Sequence, residues 1–230
     1  MLFRSLNDKW RMHPTAQARF EREITALASM SHPNIVTCEG VSLPGNARFY
    51  LMPLYSTSVR RHIASNGYRG DWRAVARCGT VLAEALQYAH SQWFIHRDVK
   101  PDNILFNPGG PLVIADWGIG YFVHQESQVL QQLTRGGMGT EYYCSREQWT
   151  TGKCDARGDI YALGMTLDEW VSGRQRVITV GAGVSGAPNT ATVGGRRLGE
   201  VIARMTRQAA GDRYAAMSVV AAELRAIAKL

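Results

Sequence analysis

The chain has 230 residues, of which 45% are hydrophobic, so it can bury the core of one large domain or two small lobes. Its net charge of +7 comes from 22 Arg and 4 Lys that are scattered in ones and twos, which argues against a basic groove for nucleic acid. The four cysteines form no Cys-x-x-Cys pair and residues 1–14 contain no apolar core. We therefore expect reduced thiols, a cytoplasmic location and no signal peptide.

The first quarter of the chain predicts one helix followed by two strands. An apolar stripe at helical spacing covers residues 19–30, and Pro33 ends that pattern. Two apolar runs follow at residues 35–42 and 48–52, on either side of a Pro-Gly turn at residues 43–46. Runs of this length around a turn are typical of β-strands.

The remainder of the chain is mainly helical in pattern. An apolar stripe predicts a long helix over residues 71–90, and the more uniformly apolar residues 160–171 predict a helix at the centre of the core. Two further helices are predicted at residues 198–207 and 217–229. Because strands come first and helices later, we predict an α+β fold in which a small sheet-bearing lobe lies on a larger helical lobe.

One segment contains the residue types that phosphoryl transfer requires. Residues 96–105 read His-Arg-Asp-Val-Lys-Pro-Asp-Asn-Ile-Leu. Asp98 can accept the proton of an attacking hydroxyl, and Lys100 can face a transferring phosphate from the same extended loop. Asn103 and the later Asp116 offer the hard oxygen ligands that Mg²⁺ prefers. We therefore predict that Asp98, Lys100 and Asn103 are catalytic and that Asn103 and Asp116 bind a metal.

The residues between Asn103 and Asp116 predict a β-hairpin. Apolar runs at residues 104–106 and 112–115 are separated by a turn rich in Pro and Gly, so the two metal ligands should lie side by side. Asp116 opens the string Asp-Trp-Gly. Together these strings resemble the catalytic loop and metal-binding turn of the eukaryotic-type Ser/Thr protein kinases of bacteria. The resemblance implies the bilobal kinase fold, ATP and Mg²⁺ as cofactors, and a protein substrate with Ser or Thr.

The resemblance also implies a division of the chain. Residues 1–54 match part of the N-terminal lobe, and residues 55–230 match the C-terminal lobe with a Gly/Ala/Thr-rich insertion at residues 177–195. The glycine-rich strand pair that covers the phosphates should precede residue 1. An incorrect start, a fragment and a protein without this cover all remain open.

Within the insertion, residues 181–186 read Gly-x-Gly-x-x-Gly, but the helix that a phosphate loop needs does not follow. The insertion is also too polar for a membrane span.

The resemblance assigns residues to the phosphate side of a nucleotide site. Glu23 matches the helix glutamate that pairs with a strand lysine holding the phosphates. Arg4 stands where the family has that lysine, and an arginine is seldom an equivalent replacement at a tight phosphate site. Lys9 is the alternative candidate, although its surroundings do not indicate a strand.

Three apolar residues match positions around the adenine. The run at residues 49–54 resembles the strand that enters the hinge between the lobes. Met52 would close the back of the pocket, Leu54 belongs to the hinge backbone, and Leu105 would lie under the ring. An ordinary core position for Met52 and Leu105 is an equally good interpretation of their composition.

Four later residues match structural positions of the family. Thr140 matches the threonine that lies near the catalytic aspartate in Ser/Thr-specific members, and Lys100 favours the same specificity. Glu147 is expected to form a buried ion pair with Arg213. Asp159, near the start of a helix, matches the aspartate that binds the backbone of the catalytic loop, although a helix cap would explain the same residue.

The first two residues of the catalytic-loop string, His96 and Arg97, are assigned structural roles by the resemblance. An arginine directly before the catalytic aspartate requires an anion, which a phosphorylated activation segment would supply. We therefore predict phosphorylation at Thr134.

Two other functions are compatible with the sequence. Arg4, the missing glycine-rich strands and Arg146 at a position that is usually proline would fit a pseudokinase or inactive fragment that binds partners. A small-molecule phosphotransferase would share the fold. Neither the oligomeric state nor the physiological substrate follows from the sequence.

Overall fold

The computed structural model describes residues 2–5, 14–42, 49–117, 140–151, 154–174 and 192–230. The expectations about Lys9, the turn at residues 43–46, Thr134 and residues 181–186 fall outside this part of the chain. Among the described residues, every helix is too short or too polar to cross a lipid bilayer.

The N-terminal part contains one helix and a three-stranded antiparallel sheet. β1 (Leu2–Ser5) and β2 (Gly40–Ser42) both pair with β3 (Phe49–Met52), so the strand order is β1–β3–β2. Helix α1 (Pro14–Ser29) begins earlier than the predicted residue 19. A proline suits this first position because its missing N–H would have no partner within the helix.

A second small sheet lies where the chain passes from the N-terminal part to the helical part. It consists of β4 (Thr57–Ser58), β5 (Ile104–Phe106) and β6 (Val113–Ile114), in the order β4–β5–β6. β5 and β6 are antiparallel, with Ile104 opposite Ile114. This pairing confirms the predicted hairpin.

The predicted strand over residues 35–42 is wrong for most of its length. Strand pairing with β3 is confined to Gly40–Ser42 and the preceding Glu39 N–H, which donates to the Leu51 carbonyl at 2.9 Å, whereas Ile35 forms an isolated parallel bridge with Ile114 of β6. The Val36 N–H donates to the Ile114 carbonyl at 3.0 Å, and the Ile114 N–H donates to the Asn34 carbonyl at 2.9 Å. An apolar run predicts an extended chain but does not identify the strand with which it pairs.

The helical part is formed by helices whose apolar faces meet in one core. The described helices are α2 (Val59–Ala64), α3 (Trp72–Ser91), α4 (Arg146–Thr151), α5 (Ala156–Ser172), α6 (Val193–Met205) and α7 (Met217–Ala228). Nearly every residue of α5 is buried, which explains why its sequence is apolar on all sides. The first turn of α6 contains the last three residues of the predicted insertion.

The caps of the helices explain most of their boundaries. The Asp71 side chain accepts from the Ala74 N–H at 2.9 Å and begins α3 close to the predicted position.

Gly79 in α3 allows a close approach to α5, because a Cβ at this position would lie 2.9 Å from the Leu167 side chain. α2 and α4 were not predicted, since six residues are too few to display a helical period.

Candidate active site

The predicted catalytic loop lies between the end of α3 and the start of β5. It closes with a 3-10 turn at Pro101–Asn103. The β5–β6 hairpin brings the chain back, so that the Ala115 N–H donates to the Asn103 carbonyl at 2.9 Å. The His96 Nε2 lies 3.0 Å from the Ala115 carbonyl, and its Nδ1 accepts from the Asp98 N–H at 3.2 Å. These partners suit an imidazole that accepts at Nδ1 and donates from Nε2.

Asp98, Lys100 and Asn103 form one cluster of hydrogen bonds. The Asp98 Oδ2 accepts from Lys100 Nζ at 2.7 Å and from Asn103 Nδ2 at 2.9 Å. Asn103 Nδ2 also donates to the Asp98 carbonyl at 2.9 Å. The amide nitrogen of Asn103 is therefore occupied, and its Oδ1 is the atom suited to a cation.

Burial makes the charge on Asp98 costly. The side chain is 6% exposed, and this burial raises the pKa of Asp98 above its usual value despite the opposing charge of Lys100. The nearby negative charge of Asp116 acts in the same direction as burial. A carboxylate whose ionisation is made costlier by a neighbouring carboxylate favours a cation nearby.

Asp159 holds the backbone of the catalytic loop from α5. Its two oxygens accept from the His96 N–H at 2.9 Å and the Arg97 N–H at 2.8 Å. A third contact, from His90 Nε2, has a length of 2.8 Å. Burial alone would raise the pKa of Asp159, but these partners outweigh it and lower that pKa. Arg97 has a positive φ of 68°, a conformation that costs energy in a non-glycine residue and that these contacts maintain.

His90 was not predicted from the sequence. It lies near the end of α3, and its side chain is 7% exposed. A histidine on the buried side of a helix is the only sequence signal, and it does not identify the partner. The fold supplies that partner by packing α3 against α5.

Asp116 and Trp117 follow β6 directly. Asp116 is half-buried and has a positive φ of 72°. Trp117 is 2% exposed and contacts His96 edge to face, with ring centroids 4.6 Å apart. Its indole N–H donates to the Ile114 carbonyl at 3.1 Å. The tryptophan is therefore anchored beside the predicted metal-binding turn by one ring contact and one hydrogen bond.

On the predicted phosphate side, Glu23 is buried and lies close to the N-terminal sheet. The Tyr50 hydroxyl donates to Glu23 Oε1 at 3.2 Å, and the glutamate is 1% exposed. Arg4 lies opposite Tyr50 in the register of β1 and β3. The backbone therefore places Arg4, at the predicted lysine position, across from Tyr50, which bonds Glu23.

The three predicted adenine residues differ in exposure. Met52 is 2% exposed and belongs to the core, and Leu105 is half-buried. Leu54 is 59% exposed, so its side chain does not form a closed pocket wall. Any contribution of Leu54 to nucleotide binding has to come from its backbone.

The segment from Thr140 to Glu147, which the resemblance relates to peptide docking and which we call the docking segment, is held at its end by a bidentate ion pair. Arg213 donates to both Glu147 oxygens, at 2.6 and 3.0 Å, and the guanidinium is fully buried. Burial would raise the pKa of Glu147, but its hydrogen bond with Arg213 outweighs this effect and lowers it. Gln148, which was not predicted, donates to the Arg97 carbonyl at 2.7 Å and links this segment to the catalytic loop. Thr140 begins the 3-10 turn Thr140–Tyr143 at the start of the docking segment.

Comparison with known proteins places these features in a family. The family model described as protein kinase domain matches residues 6–181. The probable serine/threonine-protein kinase CPE1738 of Clostridium perfringens is 32% identical over 168 residues, which cover 73% of this chain and 24% of that protein. The serine/threonine-protein kinase PknF of Mycobacterium tuberculosis is 36% identical over 165 residues, which cover 68% of this chain and 34% of that protein. The chain spans about a quarter of the length of most of the curated relatives it matches.

A solved structure has the same fold. The crystal structure of the PknI kinase domain of Mycobacterium tuberculosis matches with a TM-score of 0.69 at 22% identity. The match covers 98% of this chain and 84% of that one. The predicted α+β, bilobal fold is confirmed by this similarity.

Proposed function

Because this chain belongs to the protein kinase family, we propose that it transfers the γ-phosphate of ATP to a serine or threonine hydroxyl of a protein substrate. The observation that carries the proposal is the buried cluster of Asp98, Lys100 and Asn103. The relatives named as serine/threonine kinases support the class of substrate.

Asp98 is proposed to position the substrate hydroxyl and accept its proton. Among the described residues, both side-chain hydrogen bonds to the carboxylate fall on Oδ2, which leaves Oδ1 to face the hydroxyl. As the hydroxyl oxygen bonds to the γ-phosphorus, the bond to the bridging oxygen breaks and ADP leaves. The raised pKa of Asp98 makes the carboxylate a better proton acceptor than an exposed aspartate.

Lys100 is proposed to stabilise the negative charge on the transferred phosphoryl group. Its ammonium is bonded to Asp98, and its side chain is 18% exposed, which is consistent with a position at the edge of the site. A charge held beside the reacting oxygens needs no rearrangement during transfer. The ion pair with Asp98 also keeps the two groups at a fixed separation.

Asn103 and Asp116 fit a Mg²⁺ ion that arrives with ATP. Mg²⁺ takes one or two protein oxygens and completes its shell with phosphate and water, and here one amide oxygen and one carboxylate are suited to it. Within the described residues, no group of three or more His, Cys, Asp and Glu could hold a metal by itself. When bound, the ion would neutralise phosphate charge.

The nucleotide-side assignments remain part of the proposal. Glu23 would pair with the residue at the lysine position, Arg4, whose strand lies opposite Tyr50. Met52 and Leu105 would contact the adenine, and Leu54 would contribute backbone groups. The assigned lobes, residues 1–54 and 55–230, rest on the same resemblance to the family.

Substrate docking and regulation are proposed on the same basis. The segment from Thr140 to Glu147 would bind the protein substrate, with Arg213 holding its end. Phosphorylation at Thr134 would supply an anion for Arg97. The four cysteines are free thiols, which supports a reducing compartment such as the cytoplasm.

The test is transfer of radiolabelled phosphate from ATP, with Mg²⁺, to a mixture of protein substrates. We expect Asp98→Asn to lower the rate by about 10²–10⁴, the usual contribution of a positioned acid or base. The substitution keeps the size and most hydrogen bonds of the side chain. Equal labelling by both proteins would contradict the mechanism proposed for Asp98, and the absence of labelling by the unsubstituted protein would favour a binding module.

A further inference from the structure

One guanidinium outside the catalytic cluster contacts three separate segments of the fold. From α2, Arg60 Nε lies 3.1 Å from Asp102 Oδ2, and Nη2 donates to the Tyr143 hydroxyl at 2.6 Å. Nη1 forms an ion pair with Glu169 of α5. Asp102 belongs to the catalytic loop and directly precedes Asn103. Tyr143 ends the 3-10 turn of the docking segment.

The contacts with Glu169 and Tyr143 are made where charges are costly, whereas the Asp102 side chain is 49% exposed. Glu169 is 3% exposed and Tyr143 is 4% exposed, and the Tyr143 hydroxyl donates to the second oxygen of Glu169. Burial and the adjacent Glu169 raise the pKa of Tyr143, so the phenol stays neutral and can both donate and accept. A buried carboxylate requires a cationic or hydrogen-bonding partner, and Arg60 supplies the charge.

Docking of α2 on the core does not depend on Arg60 alone. Val59 and Ile63 are buried, and the Trp170 indole N–H donates to His62 Nδ1 at 3.0 Å. These contacts already fix the helix against α5. The additional contacts of Arg60 reach two segments that are assigned to chemistry and to substrate docking.

We infer that Arg60 is a positioning residue that sets the docking segment, through Tyr143, against the catalytic loop, through Asp102. This inference depends on the proposed function, because it assigns a specific role in protein phosphorylation. Arg60 touches neither the catalytic cluster nor the residues assigned to the nucleotide. Its removal should therefore affect the protein substrate and leave ATP binding unchanged.

The first test compares Arg60→Met with Arg61→Met in the full-length protein. Arg61 is its exposed neighbour on the same helix and serves as the matched control. Since small misplacements far from the chemistry can cost about 10²-fold in rate, we expect Arg60→Met to lower kcat/KM for the protein substrate by about 10–100-fold. KM for ATP should stay within about twofold. Arg60→Lys should recover part of the loss, because an ammonium neutralises Glu169 but cannot reach all three partners.

A double variant separates positioning from stability. Arg60→Met alone leaves the buried Glu169 carboxylate without its cation and should lower the thermal midpoint. Adding Glu169→Gln removes that negative charge, so the thermal midpoint should recover. The defect with protein substrate should persist, because Tyr143 and Asp102 still lack their common partner. Recovery of activity together with stability would show a purely structural role and overturn the inference.

Hydrogen exchange provides a readout that does not require activity. Amides of residues 142–147 should exchange faster in Arg60→Met than in Arg61→Met, whereas amides of the buried α5 should not change. Equal exchange in the two variants would overturn the inference. An unsubstituted protein that labels no substrate would count against the proposed function instead.

Discussion

Two buried aspartates differ in pKa. Asp98 belongs to the predicted catalytic loop, and Asp159 binds the backbone of that loop from α5. Asp159 receives two backbone N–H groups and His90, and its pKa is lowered. Asp98 receives Lys100 and Asn103 on a single oxygen, and its pKa is raised. The comparison shows how the proposed catalytic carboxylate differs from a carboxylate that holds the loop. Asp159 is bonded on both oxygens within the fold, whereas the hydrogen bonds to Asp98 fall on one oxygen, which leaves the other for the proposed reacting group.

The largest effect on stability is expected from Asp159→Ala. The substitution leaves two loop amides and His90 buried without their acceptor, which should cost about 3–5 kcal/mol in the free energy of unfolding. Urea denaturation followed by tryptophan fluorescence measures this loss. Asp155→Ala is the control on the same helix, and removing this cap should cost only about 1 kcal/mol. Similar losses in the two variants would contradict the role given to Asp159.

A smaller effect is expected from His90→Phe. The change removes one of the three donors to Asp159 and keeps an aromatic side chain in place, so we expect a loss of about 1–3 kcal/mol. Gln92→Ala, at the exposed end of α3, should be nearly neutral. If His90→Phe were as stable as the unsubstituted protein in the same urea titration, the stabilising contact between His90 and Asp159 would be contradicted.

The smallest effect is a pH dependence that has opposite signs for the two aspartates. The contribution of Asp159 is present above the pKa of the unfolded chain and is lost as the pH falls through its lowered folded pKa. The contribution of Asp98 is present below the unfolded pKa and is lost as the pH rises through its raised folded pKa.

Urea titrations between pH 3 and pH 7 can measure these two signs. Relative to the unsubstituted protein, Asp98→Asn should gain stability as the pH rises, whereas Asp159→Asn should lose it. Parallel curves for the two variants would show that the environments of the aspartates do not differ as described. The same titrations would show whether the Asp98→Asn variant used in the activity assay is folded.

The sequence predicted local features better than contacts between distant segments. The catalytic cluster lies within six residues, from Asp98 to Asn103, and a short hairpin fixes the position of Asp116, so motif spacing was sufficient. Helix α3 was predicted closely because its apolar stripe and the Asp71 cap are both local signals. The contacts of His90 and Arg60 depend on helix packing, which the spacing of residues along the chain does not reveal.

The isolated bridge between Ile35 and Ile114 has a mechanical consequence. Helix α1 contains Glu23, and the backbone that follows this helix bonds both the N–H and the carbonyl of Ile114. Asp116 follows Ile114 two residues later. A rotation of α1 that displaced residues 34–36 would therefore pull on β6, which ends two residues before Asp116. Glu23 and Asp116, which we assign to two sides of the proposed nucleotide site, are thus connected through main-chain hydrogen bonds, so a displacement of one segment is transmitted to the other through the backbone.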